Sequence, residues 1–215
     1  MDLGTLGQAY QFAMAHQRDL WRALVQHLEL VGIALAIAIV VCVPLGVLTA
    51  RSRLAAVTFI NGFNALRVIP SLAILFLALP YFGLTIKASL IALTILALPP
   101  ILINTDAAFR NLDPAIREAA AGMGMSPGQA LRRVEFPLAL PVIVAGIRTA
   151  TIEVIASATL AAFIGGGGLG QFITLGFAMY QPSILLVGAV PVALLALLAE
   201  LGMSGLQRAL QPPTA

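Results

Sequence analysis

Residues 30–50 form an unbroken apolar run without a single formal charge. The chain has too few polar residues to cover such a run as the core of a soluble domain. Only 10% of the 215 residues are charged and 60% are hydrophobic, whereas an ordinary soluble domain carries about 25% charged residues. Roughly 20 apolar residues let an α-helix cross the hydrocarbon of a bilayer. Lipid offers no hydrogen bonds, so a helix, which satisfies its own backbone, is the conformation such a run can adopt there. These features predict an all-α, polytopic membrane protein with the lipid bilayer as its solvent.

The hydropathy fits five spans, over about 28–50, 57–79, 88–105, 138–164 and 182–206. The second is interrupted by Pro70, the third carries Pro99-Pro100, and the fourth contains Arg148 and Glu153. Cytoplasmic loops of membrane proteins carry the excess of Lys and Arg, and this fixes the orientation. With the N-terminus outside, seven basic residues fall in the cytoplasm: Arg51, Arg53, Arg110, Arg117, Arg132, Arg133 and Arg208. Only Arg18, Arg22 and Lys87 then lie outside. N-out, C-in is the expected topology. It divides the chain into an extracytoplasmic lead-in (1–27), a transmembrane unit (28–206) with a cytoplasmic loop at 106–137, and a cytoplasmic tail (207–215).

The lead-in opens on Met1-Asp2-Leu3 and has no basic n-region or early apolar run, so it does not read as a cleavable signal. It reads as polar and partly helical, with Trp21 placed for a membrane interface and with His16 and His27 facing solvent. The one cysteine, Cys42, lies mid-span and reads as a small apolar filler.

The loop is an unusually polar, helix-punctuated segment for a chain this oily. Asp113-Pro114 is a helix start, with Asp as N-cap and Pro in the first turn. Residues 115–123 are rich in strong helix formers, with Gly122 and Gly124 ending the helix. Ser126-Pro127 repeats the start signal for a second helix over about 128–135, and Pro137 marks the turn into the fourth span. The result is a short helix–turn–helix on the cytoplasmic face. The small residues Ala119, Ala120 and Gly124 suit close approach by a partner, and Glu118 can pair with a basic group on it or brace the turn. The other reading is an amphipathic interfacial connector without a partner.

Glu118-Ala119-Ala120, then Gly124, then Val134-Glu135-Phe136-Pro137 has the spacing EAA-x3-G-x9-[IV]-x-[LF]-P. It resembles the coupling loop of permease subunits in binding-protein-dependent ABC importers. Val134 and Phe136 stand where Ile and Leu are usual in the family. Residues 69–73, 138–150 and 158–170 extend the likeness to permeases importing osmoprotectants (glycine betaine, choline, carnitine), from about Arg51 to Leu206. The resemblance implies the type I importer permease fold in a bacterial-type cytoplasmic (inner) membrane. It also implies a second permease copy or sister permease, an ATPase dimer in the cytoplasm and an external substrate-binding protein. Glu118, Ala119, Ala120, Gly124 and Pro137 would then couple to the ATPase.

The residues exclude other chemistries. No G-x-x-x-x-G-K-[ST] phosphate loop is present, so the chain needs no cofactor of its own and ATP is left to the partner. No His, Cys or carboxylate grouping suggests a catalytic or metal site, and a net charge of +3, explained by arginines at helix ends, gives no sign of nucleic acid. Pro70, Pro99-Pro100, Pro141 and the glycine-rich run from Gly165 to Gly170 are expected where helices bend or part. Pro70, Ser71 and Gly165, Gly166, Gly167 and Gly168 are the candidate gate and path residues. The glycine run reads either as an extracytoplasmic gate or docking rim, because glycine permits close backbone approach, or as a flexible external loop.

Arg67, Arg148 and Glu153 are expected within the spans. Intramembrane charges cost roughly 2.5–3.5 kcal/mol on insertion scales and tend to pair inside the bundle. Glu153 is accordingly expected to be neutralised by Arg67 or Arg148, within one subunit or across a dimer of permease subunits. The aromatics are scattered rather than gathered into the cage a quaternary ammonium favours. High-affinity recognition is therefore assigned to the binding protein, with Tyr81, Phe82 and Tyr180 nearest the outer face. Two alternatives stay open: a permease for another small solute such as methionine, and an ion-coupled secondary transporter, which would need inverted repeats that are not visible here.

Overall fold

The computed structural model describes residues 3–211. Among these, the helices in chain order are α1 (Leu3–Ala15), α2 (Gln17–Arg51), α3 (Arg53–Val68), α4 (Ser71–Phe82), α5 (Ile86–Arg110), α6 (Pro114–Gly122), α7 (Pro127–Ile164), α8 (Gly170–Ala178) and α9 (Pro182–Leu210). Four of them, α2, α5, α7 and α9, are long and apolar enough to cross a membrane. The α3–α4 pair makes a fifth span if counted as one broken helix.

The bundle is built around α5, which packs between α2 and α7. Its buried residues lie on every side of the helix, among them Ala92, Leu93, Ala97, Ile101, Leu102 and Phe109, as expected of a helix apolar all round. Small residues let the neighbours come close. A Cβ on Gly46 of α2 would lie 2.5 Å from Thr105 Cβ, and one on Gly146 of α7 would lie 2.6 Å from Asn104 Cβ and 2.8 Å from the Pro100 carbonyl. Such small-residue contacts substitute in lipid for the missing hydrophobic drive between helices. Polar side chains turn back onto their own helix: Thr105 Oγ1 donates to the Ile101 carbonyl at 2.7 Å and Asn104 Nδ2 to Pro100 at 2.8 Å.

Pro70 breaks the second span sharply. The residue before a proline is pushed out of the helical region, and Ile69 is extended at φ −76°, ψ 123°. The axes of α3 and α4 meet at 99° across this point. The other span prolines do not part their helices, contrary to the sequence expectation: α5 runs through Pro99-Pro100 and α7 through Pro141. Pro137 likewise makes no turn. α7 is continuous from Pro127, with a π-helical turn over Leu131–Glu135 where the Phe136 N–H reaches back to the Leu131 carbonyl. The wider turn absorbs the register change just before a residue that has no N–H to give.

The residues assigned to the lead-in, 1–27, include all of α1 and the first turns of α2. α2 starts at Gln17 without interruption, and α1 folds back against α9 and α8, with Phe12 edge-on to Phe172 at 6.4 Å. His27 is fully buried rather than solvent-facing, whereas His16 is exposed. Cys42 is also fully buried. At the other end α9 continues to Leu210, so the segment assigned to the tail begins as helix; residues 212–215 lie outside the described residues.

Gly146→Leu should lower the unfolding midpoint of the detergent-purified protein, since overpacking costs about 1–3 kcal/mol. Gly205→Ala, where a Cβ meets nothing within 4 Å, should leave the midpoint unchanged or raise it.

Candidate functional site: the coupling hairpin, the glycine turn and the intramembrane charges

The loop between α5 and α7 is built from local capping chemistry. Asp113 Oδ1 accepts from the Ala115 N–H at 2.9 Å and starts α6 with Pro114 in its first turn. The helix ends in a Schellman motif: the Gly124 N–H bonds the Ala121 carbonyl at 2.9 Å and the Met125 N–H bonds Ala120 at 3.1 Å. That motif needs a left-handed residue, and Gly124 sits at φ 77°; Gly122 is still inside the helix. Ser126 and Gln129 then form a capping box that opens α7.

This hairpin has an inner and an outer face. Glu118 and Ala119 are exposed, and Glu118 makes no ion pair among the described residues. Ala120 was expected to face a partner but is 1% exposed, packed inward. Glu135, inside the motif, braces the structure. Its carboxylate is buried on α7 and accepts from Arg51 Nη2 of α2 at 3.1 and 3.2 Å, with Arg117 Nε of α6 at 3.5 Å. Arg117 also donates to the Phe109 carbonyl at 2.6 Å. Next to it, Arg110 forks onto Asp106 at 2.8 and 3.0 Å and reaches the Thr49 carbonyl at 2.9 Å. One end of α2, α5 and α7 is thereby tied to the hairpin.

At the opposite end of α7, the run Gly165–Gly168 is a packed turn rather than a flexible loop. Gly166, Gly167 and Gly168 are buried, and Gly165, Gly167 and Gly168 have φ of 80°, 74° and 71°. Gln26 of α2 holds the turn from both sides: its Nε2 donates to the Gly166 carbonyl at 3.3 Å and its Oε1 accepts from the Gly168 N–H at 3.0 Å. A Cβ on Gly167 would overlap the Gln26 amide. Beside it His27 Nε2 lies 3.2 Å from the Ile155 carbonyl, which can only accept, so this nitrogen carries the hydrogen.

Within the single chain, the intramembrane charges do not make the pair expected for Glu153. Arg148 is matched by Glu200 of α9, with Nε donating to Oε2 at 2.9 Å, Nη2 to Oε1, and Nη1 to Gln207 at 3.3 Å. Glu153 pairs with neither Arg148 nor Arg67. Instead Glu153 and Arg67 line one cavity of about 290 Å³, together with Pro70, Ser71, Ile74, Leu96, Pro99 and Ser157. Tyr81 and Tyr180 are 82% and 92% exposed, at the rim and away from that cavity.

Gln26 and Glu200 are not singled out by the sequence, in which Arg51 and Arg117 serve only to orient the chain and Glu135 only as part of the motif. The signal for Glu200 was a lone carboxylate in an otherwise apolar span, and for Glu135 an acid placed directly before the Phe136-Pro137 entry to another.

Four to five apolar spans with a helical hairpin clamped onto one end define a polytopic membrane protein. The chain belongs to the family described as binding-protein-dependent transport system inner membrane component, whose model matches residues 42–214, and it is a multi-pass inner-membrane transport permease. It is 41% identical to the choline transport system permease protein OpuBB of Bacillus subtilis, covering 94% of this chain and 93% of that one. It is 43% identical to the carnitine transport permease protein OpuCB of Listeria monocytogenes over 87% and 86%. It is 40% identical to the osmoprotectant import permease protein OsmW of Salmonella typhimurium over 87% and 89%. Its fold matches the inward-facing MetNI methionine ABC transporter with a TM-score of 0.79 at 23% identity, over 92% of this chain and 99% of that one. It also matches an amino acid ABC transporter with a TM-score of 0.74 at 20% identity, over 93% and 97%.

Arg148→Glu and Glu200→Arg should each lower the yield and thermal stability of the membrane-inserted protein, and the double exchange should restore both. Unchanged stability of either single variant, or failure of the double exchange, would remove the pair from the fold's requirements.

Proposed function

We propose that the chain is a permease subunit of an osmoprotectant importer, carrying a small quaternary ammonium or betaine solute across the inner membrane. In this reading it works as a homodimer or beside a sister permease, takes solute from an external binding protein and is driven by a separate ATPase dimer. The relatives near 40% identity that cover most of both chains carry the substrate class. The methionine and amino acid transporters share the fold below 25% identity and carry none.

The observation that supports the coupling role is the two-faced hairpin. Its outer side offers Glu118 and Ala119, uncovered by the chain's own bundle, while its inner side is fixed through Glu135, Arg51 and Arg117. A partner ATPase that moves α6 moves α2 and α7 with it. The N-out, C-in reading places this hairpin in the cytoplasm and the Gln26-clasped glycine turn outside. The turn is then a gate element: its hydrogen bonds hold α2 against the α7–α8 corner, and opening requires that they part. Pro70 and Ser71 lie on the path.

Cys42 is buried, so Ser126→Cys provides an accessible thiol for a membrane-impermeant maleimide. Labelling is expected in inside-out vesicles and not in intact cells; labelling from the exterior alone overturns the topology and the coupling role together. Glu118→Arg should abolish co-purification of the ATPase while leaving the permease folded. Gly167→Val and Gly168→Val should stop uptake; undiminished uptake removes the gate role.

A further inference from the structure

The cavity at the α3–α4 break has an electrostatic polarity that folding alone does not require. Arg148 and Glu200 neutralise each other, but Arg67 and Glu153 have no opposite charge within salt-bridge distance among the described residues, and both line this one cavity. The backbone repeats the same polarity. Pro99 and Pro100 have no N–H, which leaves the Ile95 and Leu96 carbonyls without their helical donors on the α5 wall. Across from them α4 begins at Ser71, where the Ala73 and Ile74 N–H groups close onto Pro70 and those of Ser71 and Leu72 have no helical acceptor. The cavity wall thus carries a cation and the start of α4 at Ser71 on one side, and the Glu153 carboxylate with Ile95, Leu96 and Pro99 of α5 on the other.

We propose that this cavity is a transient binding site for a small zwitterion, with the carboxylate of the solute at Arg67 and Ser71 and its ammonium at Glu153. The inference rests on the osmoprotectant reading and names the membrane site of that solute. A volume of about 290 Å³ is at the low end of ligand pockets and admits a compact solute. Arg67, Glu153 and Ala156 are uncovered by the chain's own helices, so the cavity opens at the surface of this subunit. No aromatic residue lines it, so nothing cages the ammonium. Ionic complementarity without a cage suits a solute that must leave again.

The test is uptake into proteoliposomes holding the permease with its ATPase, supplied with binding protein saturated with either glycine betaine or choline. Both solutes carry the quaternary ammonium and only betaine carries the carboxylate. The readout is the betaine-to-choline uptake ratio within one preparation, which the amount of folded protein does not alter. Arg67→Gln is expected to lower that ratio about tenfold, the loss of one charge-assisted contact, and Arg67→Lys to recover most of it. Glu153→Gln should reduce uptake of both solutes and leave the ratio near that of the wild type. A ratio unchanged by Arg67→Gln, or betaine uptake unaffected by Glu153→Gln, overturns the site while leaving the importer reading intact. Wild-type vesicles that carry neither solute, nor carnitine supplied in the same way, overturn the osmoprotectant reading, and the ligand class with it.

Discussion

A single desolvated carboxylate organises one end of this molecule. Glu135 is 4% exposed, and a buried charge survives only when paired and hydrogen-bonded. Its partners come from two other elements, Arg51 closing α2 and Arg117 in the hairpin helix. Breaking a wholly buried pair costs about 3–5 kcal/mol; the cost here is smaller, because the guanidinium side chains are 42% and 41% exposed. The mechanical consequence outweighs the energetic one. Three segments, α2, the hairpin helix and α7, share one ionic joint. Arg110 adds a second joint nearby, linking α5 to the end of α2.

Lipid as solvent explains why the remaining charges divide into closed and open sets. Arg148 and Glu200 close on each other and hold α7 to α9, a packing role. Arg67 and Glu153 face a shared cavity without closing. The glycine turn clasped by Gln26 secures the far end of α7. A rigid α7 thus links the ionic joint at one end to the hydrogen-bonded turn at the other, with the open charges between them. This is the layout a lever needs if force applied at the hairpin is to reach the far side of the membrane.

What was legible in the sequence was what local chemistry determines. The charge-free runs gave the helical bundle, Asp113-Pro114 and Ser126-Pro127 gave both helix starts of the hairpin, and Ile69-Pro70 gave the break in the second span. What was not legible depended on neighbours distant in the chain. Arg148 and Arg67 were the two mates expected for Glu153, yet within the chain Glu200 from another helix pairs with Arg148. His27 looked solvent-facing because its sequence neighbourhood is polar, but α2 extends through it and buries it against α7. Pro99-Pro100, Pro137 and Pro141 resembled breaks, while packing on both sides and a π-helical turn carry the helices through. Ala120 sits in a motif that reads as partner-facing, but its helical phase turns it inward.

We propose that the ionic joint at Glu135 converts movement of the hairpin into movement of the spans. The direct measurement is the number of ATP molecules hydrolysed per solute imported by Glu135→Gln in proteoliposomes with its ATPase and binding protein. The account predicts that hydrolysis continues while import falls, so that the ratio rises several-fold above wild type. A ratio equal to wild type, with import and hydrolysis both preserved or falling together, would contradict it.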